Sequence, residues 1–114
     1  MFKGGYEQEF TIINCCPHDI IVAGKLYPRS EYVARCSTEK IRVGYLNDVD
    51  IFETRFTDVI GLPDPQPWTR YIVSRPVFEA INDDPEEDRY DLVCVGELIR
   101  DETGRVIGAK DWSV

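Results

Sequence analysis

Histidine is nearly missing from this chain: a single one, His18, stands among 114 residues. Any acid, base or metal-ligand role for an imidazole therefore rests on that residue alone. Paired Cys-x-x-Cys spacing is missing too. The four cysteines lie at 15, 16, 36 and 94, two of them adjacent, which argues against a disulfide framework or an ordinary zinc knuckle and for reduced thiols. Positive charge is scarce, with 13 basic against 21 acidic residues and a formal net charge of −8, so general affinity for nucleic acid or anionic membranes is not expected. No apolar run approaches the length of a membrane span and no basic, apolar leader opens the chain, so a cytoplasmic protein is expected. No strong catalytic, metal or cofactor signature occurs, and neither a cofactor nor a metal is expected.

What is present is enough apolar residue, 43% of the chain, to build one core without staples. Residues 1–8, with two glycines and no periodicity, read as a flexible leader, and residues 9–114 as one β-rich domain. Glu9–Asn14 and Asp19–Ala23 read as strands joined by a short bend or hairpin at Cys15-Cys16-Pro17-His18. Alternating segments at Tyr32–Cys36, Ile41–Tyr45 and Ile51–Phe56, with a turn at Asn47-Asp48, suggest a meander of half-buried strands. Three prolines in Gly61–Pro67 forbid a ladder there. Leu92–Val95 is a buried-type run, and Glu97–Arg100 with Arg105–Ala109 around a Glu102-Thr103-Gly104 turn reads as a terminal hairpin.

The stretch Arg70–Ile81 organises the rest. Tyr71, Ile72 and Val73 favour a pleated backbone and form a continuous apolar run, the pattern of a central strand buried on both faces. Pro76 then suits the first turn of a helix, where its missing N–H has no partner to lose. Val77, Phe78 and Ile81 fall on one helical face, and Glu79 is expected to favour the positive end of the dipole. The expected fold is α+β: a mostly antiparallel or mixed sheet, one short helix at about residues 76–82 packed on it, and a C-terminal hairpin.

Ser74 and Arg75 occupy that strand-to-helix junction. Unpaired N–H groups at a helix start, a hydroxyl and a guanidinium together can hold phosphate or carboxylate oxygens. The plainer alternative is a Ser74 cap with Arg75 paired to a carboxylate such as Glu79. His18 with Asn14 offers a second polar cluster beside two thiols, although a lone histidine in a turn is more often structural. A Cys16–His18 nucleophilic pair oriented by Asn14, and zinc held by the cysteines with His18, can both be drawn without a supporting signature. Arg29, Ser30 and Arg35 are further pocket candidates. Trp68 and Trp112 are expected at core edges. Asp83, Asp84, Glu86 and Glu87 crowd one loop that is either solvated or a surface for a basic protein partner.

Several spaced segments carry a resemblance: Ile13-Asn14-Cys15-Cys16-Pro17-His18, Gly61-Leu62-Pro63, Tyr71-Ile72-Val73-Ser74, and Gly96-Glu97-Leu98-Ile99-Arg100-Asp101 followed by Gly104-Arg105-Val106-Ile107-Gly108. In this order they resemble a family of small phage and bacterial proteins that commonly begin with an Asn-Leu-Thr-Pro-His stretch. The likeness covers most of the chain after residue nine. Asn14, Pro17 and His18 match; Cys15 and Cys16 stand where Leu and Thr are typical, and Ala109 where a cysteine is frequent. The resemblance implies a phage-type accessory protein, by extension one acting in host takeover or counter-defence within host cytoplasm.

The expectation from sequence is a binding protein rather than an enzyme, capturing a small anionic ligand such as a nucleotide near Asn14, His18, Ser74 and Arg75, at a subunit interface if the chain is a homo-oligomer. One alternative is a phosphodiesterase-like enzyme with His18 as acid or base and Arg75 stabilising developing charge. The other is an inhibitor that binds a host protein through Asp83, Asp84, Glu86 and Glu87.

Overall fold

A computed structural model describes residues 9–114; the expected leader at 1–8 lies outside the described residues. The central strand β6 (Thr69–Ile72) lies between β1 (Thr11–Asn14) and β7 (Leu92–Val95), parallel to both, and β10 (Trp112–Ser113) adds antiparallel to β7. Burial on both faces follows from the apolar run: Tyr71 and Ile72 are fully buried and Val73 is nearly so. Each such side chain contributes about 1.5–3 kcal/mol. Because successive residues of a strand face opposite ways, the run divides between two cores. Tyr71, Val73, Leu92, Cys94 and Cys15 join one, whereas Ile72 and Cys16 join the other.

The first core is roofed by α1 (Arg75–Asn82), which buries Val77, Ala80 and Ile81 at helical spacing. The helix begins one residue before the expected start, and Pro76 sits in its first turn. Glu79 falls beyond that turn, which holds no acidic residue, so the expected dipole contribution is not made. The second core is closed by a second sheet, in the order β3 (Lys25–Tyr27), β2 (Ile20–Val22), β9 (Val106–Ala109), β8 (Leu98–Arg100). Ile20, Val22 and Ala109 supply its buried residues. The terminal hairpin β8–β9 forms as expected, its turn fixed by Asp101 Oδ1, which accepts from Thr103 N at 2.9 Å and Arg105 N at 3.1 Å. Of the two forms expected for residues 15–18, the structure shows a bend, at Cys16–His18, and not a hairpin: β1 and β2 belong to different sheets, and the link crosses between them.

The expected meander is replaced by one long ribbon. β4 (Arg35–Leu46) pairs only with β5 (Val49–Ile60), each of 12 residues, around a turn in which Asn47 (φ 50°) and Asp48 (φ 65°) both adopt left-handed geometry. That geometry matches the twist of a tight hairpin. Ala34, Cys36 and Val59 at the base pack on the first core, while the distal part is mostly exposed. Alternation in this stretch reflects pairing within the ribbon, not a half-buried sheet face. The projecting arm explains a radius of gyration of 17.1 Å, against about 13 Å for a compact chain of this size. At the arm's exit Gly61 has φ +83°, and a Cβ there would collide with the Val33 carbonyl, so only glycine fits.

Beyond the arm, Arg89 closes the proline-rich link. Its Nε and Nη2 donate to Asp91 Oδ1 at 2.9 Å and Oδ2 at 3.0 Å, and Nη2 also donates to the Pro63 carbonyl at 2.9 Å. Asp91 is thus a buried structural partner and not part of the solvated acidic loop. Among the described residues, no helix is long and apolar enough to cross a membrane.

Candidate functional site

Parallel neighbours in a sheet end on the same side, so the loops that follow them are brought together. Here Asn14 at the end of β1 pairs in register with Ile72 at the end of β6. The segment after β1 carries Cys16, His18 and Asp19; the segment after β6 carries Val73, Ser74 and Arg75; all six line one open cleft of about 670 Å³. The rest of its wall is apolar and comes chiefly from the second sheet, including Ile21, Leu26, Leu98, Val106 and Ile107. Of the four residues expected to bind a ligand, the structure therefore gathers His18, Ser74 and Arg75.

Asn14 is placed differently. It is buried and absent from the cleft lining. Its Nδ2 donates to the carbonyls of His18 at 2.9 Å and Tyr27 at 3.0 Å, while its Oδ1 accepts from Cys16 N at 2.8 Å. Every polar atom of the side chain is thus spent on shaping the His18 loop, and the correction is one of role: Asn14 positions the site from beneath. Ser30 and Arg29 lie in the same support. Ser30 Oγ donates to the Asn14 carbonyl at 2.7 Å, and Arg29 N donates to Asp19 Oδ1 at 2.9 Å. Neither lines the cleft, nor does Arg35.

Arg75 sits on the rim, exposed. Its Nη2 donates to Ser113 Oγ at 2.6 Å, and its guanidinium lies 5.2 Å from the Phe78 ring. Ser113 reaches it because β10 pairs antiparallel with β7, which sets Ser113 beside Cys94 in the cleft wall. The expected pairing with Glu79 is not formed, and among the described residues Arg75 has no carboxylate partner. Ser74 occupies the N-cap position in extended geometry, but its hydroxyl makes no capping bond. The first turn of the helix thus keeps donor capacity at the cleft.

His18 is exposed, with Nδ1 3.1 Å from the Asp19 carbonyl oxygen. A carbonyl only accepts, which assigns the proton to Nδ1 and leaves Nε2 as an acceptor, or a second donor once the ring is protonated. Cys16 is a poor partner for nucleophilic chemistry. Its buried Sγ faces the Ile72 carbonyl at 3.9 Å, and burial raises the thiol to about 11, whereas a reactive cysteine needs the opposite shift. Cys94, also in the wall, is raised by burial as well. Among the described residues no three His, Cys, Asp or Glu side chains converge as a metal site.

The remaining candidates lie elsewhere. Asp83, Asp84, Glu86 and Glu87 are exposed beyond α1, with Asp84 Oδ1 accepting from Glu86 N at 2.9 Å. They form a solvated turn that does not contribute to the cleft. Trp68, expected at a core edge, is exposed in left-handed geometry (φ 55°), 5.5 Å from Phe10 between ring centroids. Trp112 is exposed as well, set T-shaped 5.3 Å from Tyr27, which packs on the second core.

Sequence reasoning missed Ser113 and the apolar wall. Two consecutive apolar residues, Val106 and Ile107, in a strand of a small hairpin were the available signal, since one of them must face away from the core side. No family model matches the chain, and no curated protein or solved structure does so.

Proposed function

We propose that the protein is a non-catalytic binder of a small ligand that combines one anionic group with an apolar or aromatic body, nucleotides being the first class to try. The observation that carries this reading is Arg75: a guanidinium without a carboxylate partner among the described residues, on the rim of an apolar cleft, beside a helix start whose Ser74 leaves its N–H groups uncapped. A cation so placed can donate two parallel bonds to phosphate or carboxylate oxygens. One arginine, in a chain of net charge −8, favours a singly charged head over a polyphosphate. The apolar wall then supplies area for a base or ring. The resemblance to phage and bacterial proteins supports a sequestering role, in which capture lowers the free concentration of such a ligand in the host cytoplasm.

His18 in the same cleft supports a second reading, phosphodiesterase-like turnover, with Nε2 moving a proton and Arg75 stabilising charge. One experiment separates the two. The protein is incubated with a panel of cyclic and linear nucleotides, retained ligand is measured by equilibrium dialysis, and its chemical identity is read by chromatography. Capture returns the ligand unmodified, whereas turnover returns product and is abolished by His18→Ala. In either case Arg75→Ala loses a charge-assisted contact, about 1.5–3 kcal/mol, hence roughly ten- to a hundredfold in affinity. It changes stability by less than about 1 kcal/mol, because the Ser113 bond it gives up is exposed. Ligand that binds Arg75→Ala as well as wild type refutes the assignment.

A further inference from the structure

We infer that the apolar body of the captured ligand is an alkyl chain, so that the cleft takes a free monoanionic amphiphile, a carboxylate head on an aliphatic tail. This rests on the reading of Arg75 as an anion site and assigns the part which that reading left open. The wall is the first observation. Ile21, Leu26, Leu98, Val106 and Ile107 all line the cleft, are between 41% and 54% exposed, and belong to neither core. Exposed aliphatic residues are ordinary when scattered, but five converging on one concavity mark a binding surface. Cys16 and Cys94 lie in the same wall as buried thiols and act as small hydrophobes.

The kind of apolar group decides what the wall fits. Among the described residues no Phe, Tyr or Trp lines the cleft, although the chain holds five, six and two of them. Bases are held in large part by stacking on such rings. The one ring that borders the space, His18, sits on an exposed loop. An alkyl chain needs no flat partner, only area removed from water. Charge then fixes the head. Arg75 is the one Lys or Arg in the lining among the described residues, and Asp19 lines the same space, so a second negative charge meets repulsion instead of a partner. A carboxylate carries one charge and matches the guanidinium fork. The net charge of −8 opposes approach to an anionic bilayer, which selects the free amphiphile over a lipid held in a membrane.

Isothermal titration of the full chain at pH 7.5 with hexanoate, octanoate, decanoate and dodecanoate, each below its micelle concentration, tests this. Affinity should rise roughly two- to fourfold per added methylene. Decanol, which keeps the chain and lacks the charge, should bind about ten- to a hundredfold more weakly than decanoate, a gap that Arg75→Ala closes. Leu26→Asn and Ile107→Asn should each flatten the dependence on chain length, and their circular dichroism melts should match wild type because both residues are exposed and outside the cores. Adenosine monophosphate should bind more weakly than decanoate, and vesicles rich in an anionic lipid should not retain the protein. Retention by nucleotides alone, lost in Arg75→Ala, overturns the alkyl assignment and leaves anion capture standing. Alkanoates that bind Arg75→Ala as well as wild type overturn anion capture itself. Affinity independent of chain length, or binding to vesicles without binding to free alkanoate, also refutes the proposal.

Discussion

Asn14→Asp is nearly isosteric, yet the structure gives it a specific cost. Wild-type Nδ2 donates to two carbonyls, those of His18 at 2.9 Å and Tyr27 at 3.0 Å, while Oδ1 receives Cys16 N. The substitution keeps the accepting oxygen and replaces the double donor with an oxygen that confronts both carbonyls. Two lost bonds whose acceptors stay partly buried cost about 1–3 kcal/mol each, so roughly 4 kcal/mol is at stake near neutral pH. Protonation relieves part of it, because the neutral acid can donate one bond again. The carboxyl of the variant is thus more weakly acidic in the folded state than in the unfolded chain, where it titrates near 4. The unfolded state ionises first as pH rises, so the deficit relative to wild type is least below pH ~4, where one of the two bonds is still missing, and grows above it. Urea denaturation at a series of pH values, with Asn14→Ala as a control whose deficit is flat, measures the difference directly. A deficit in Asn14→Asp that is also flat from pH 4 to 8, or below about 1 kcal/mol, would show that the side chain does not hold the His18 loop in this way.

Two further outcomes follow from buried groups. Asp91→Ala strands the Arg89 guanidinium, whose side chain is only 11% exposed, and should cost about 3–5 kcal/mol in urea, little affected by salt, with much of it recovered when Arg89→Met is added; a loss under about 1 kcal/mol would mean the pair is effectively solvated. The Cys15 and Cys16 thiols, both raised by burial to about 11 from 9.0, should be silent to a thiol reagent in the native protein at pH 8 while Cys36, less buried, reacts first; since the unfolded chain loses these protons at lower pH, stability that is full below pH ~9 should fall between pH ~9 and ~11, and rapid native-state labelling of Cys15 or Cys16 would contradict the burial.

Local chemistry made parts of the fold readable. Tyr71-Ile72-Val73 followed by Ser74-Arg75-Pro76 carries its own strand, stop and helix start, and the Asp101–Arg105 turn carries its own hairpin. What the sequence could not show is which elements cover which faces. The alternation from Ile41 to Phe56 has the period of a half-buried strand, and the same period arises in a ribbon that pairs only with itself. Period reports backbone geometry, and only tertiary placement decides burial. The same limit applies to Asp91, whose burial has no local signal in the sequence and follows from Arg89 closing on it from two residues away.

The candidate site shows where local reasoning ends. Ser74 and Arg75 could be singled out because a proline marks the helix start, and His18 because it is alone. That they share a cleft depends on β1 and β6 being parallel neighbours, a pairing between segments that the sequence places far apart and that the expectation of a mostly antiparallel or mixed sheet leaves unspecified. Parallel order makes both following loops emerge at one sheet edge, and the crossover of residues 15–18 into the second sheet then supplies the apolar wall behind them. Arg75 is held on the rim by Ser113, whose hydroxyl accepts from its outer nitrogen and which sits on the short strand that pairs with β7. The hydroxyl occupies one side of the guanidinium fork without neutralising it, so the cation is oriented on the rim with its charge uncompensated among the described residues, which is the feature the proposed anion capture requires.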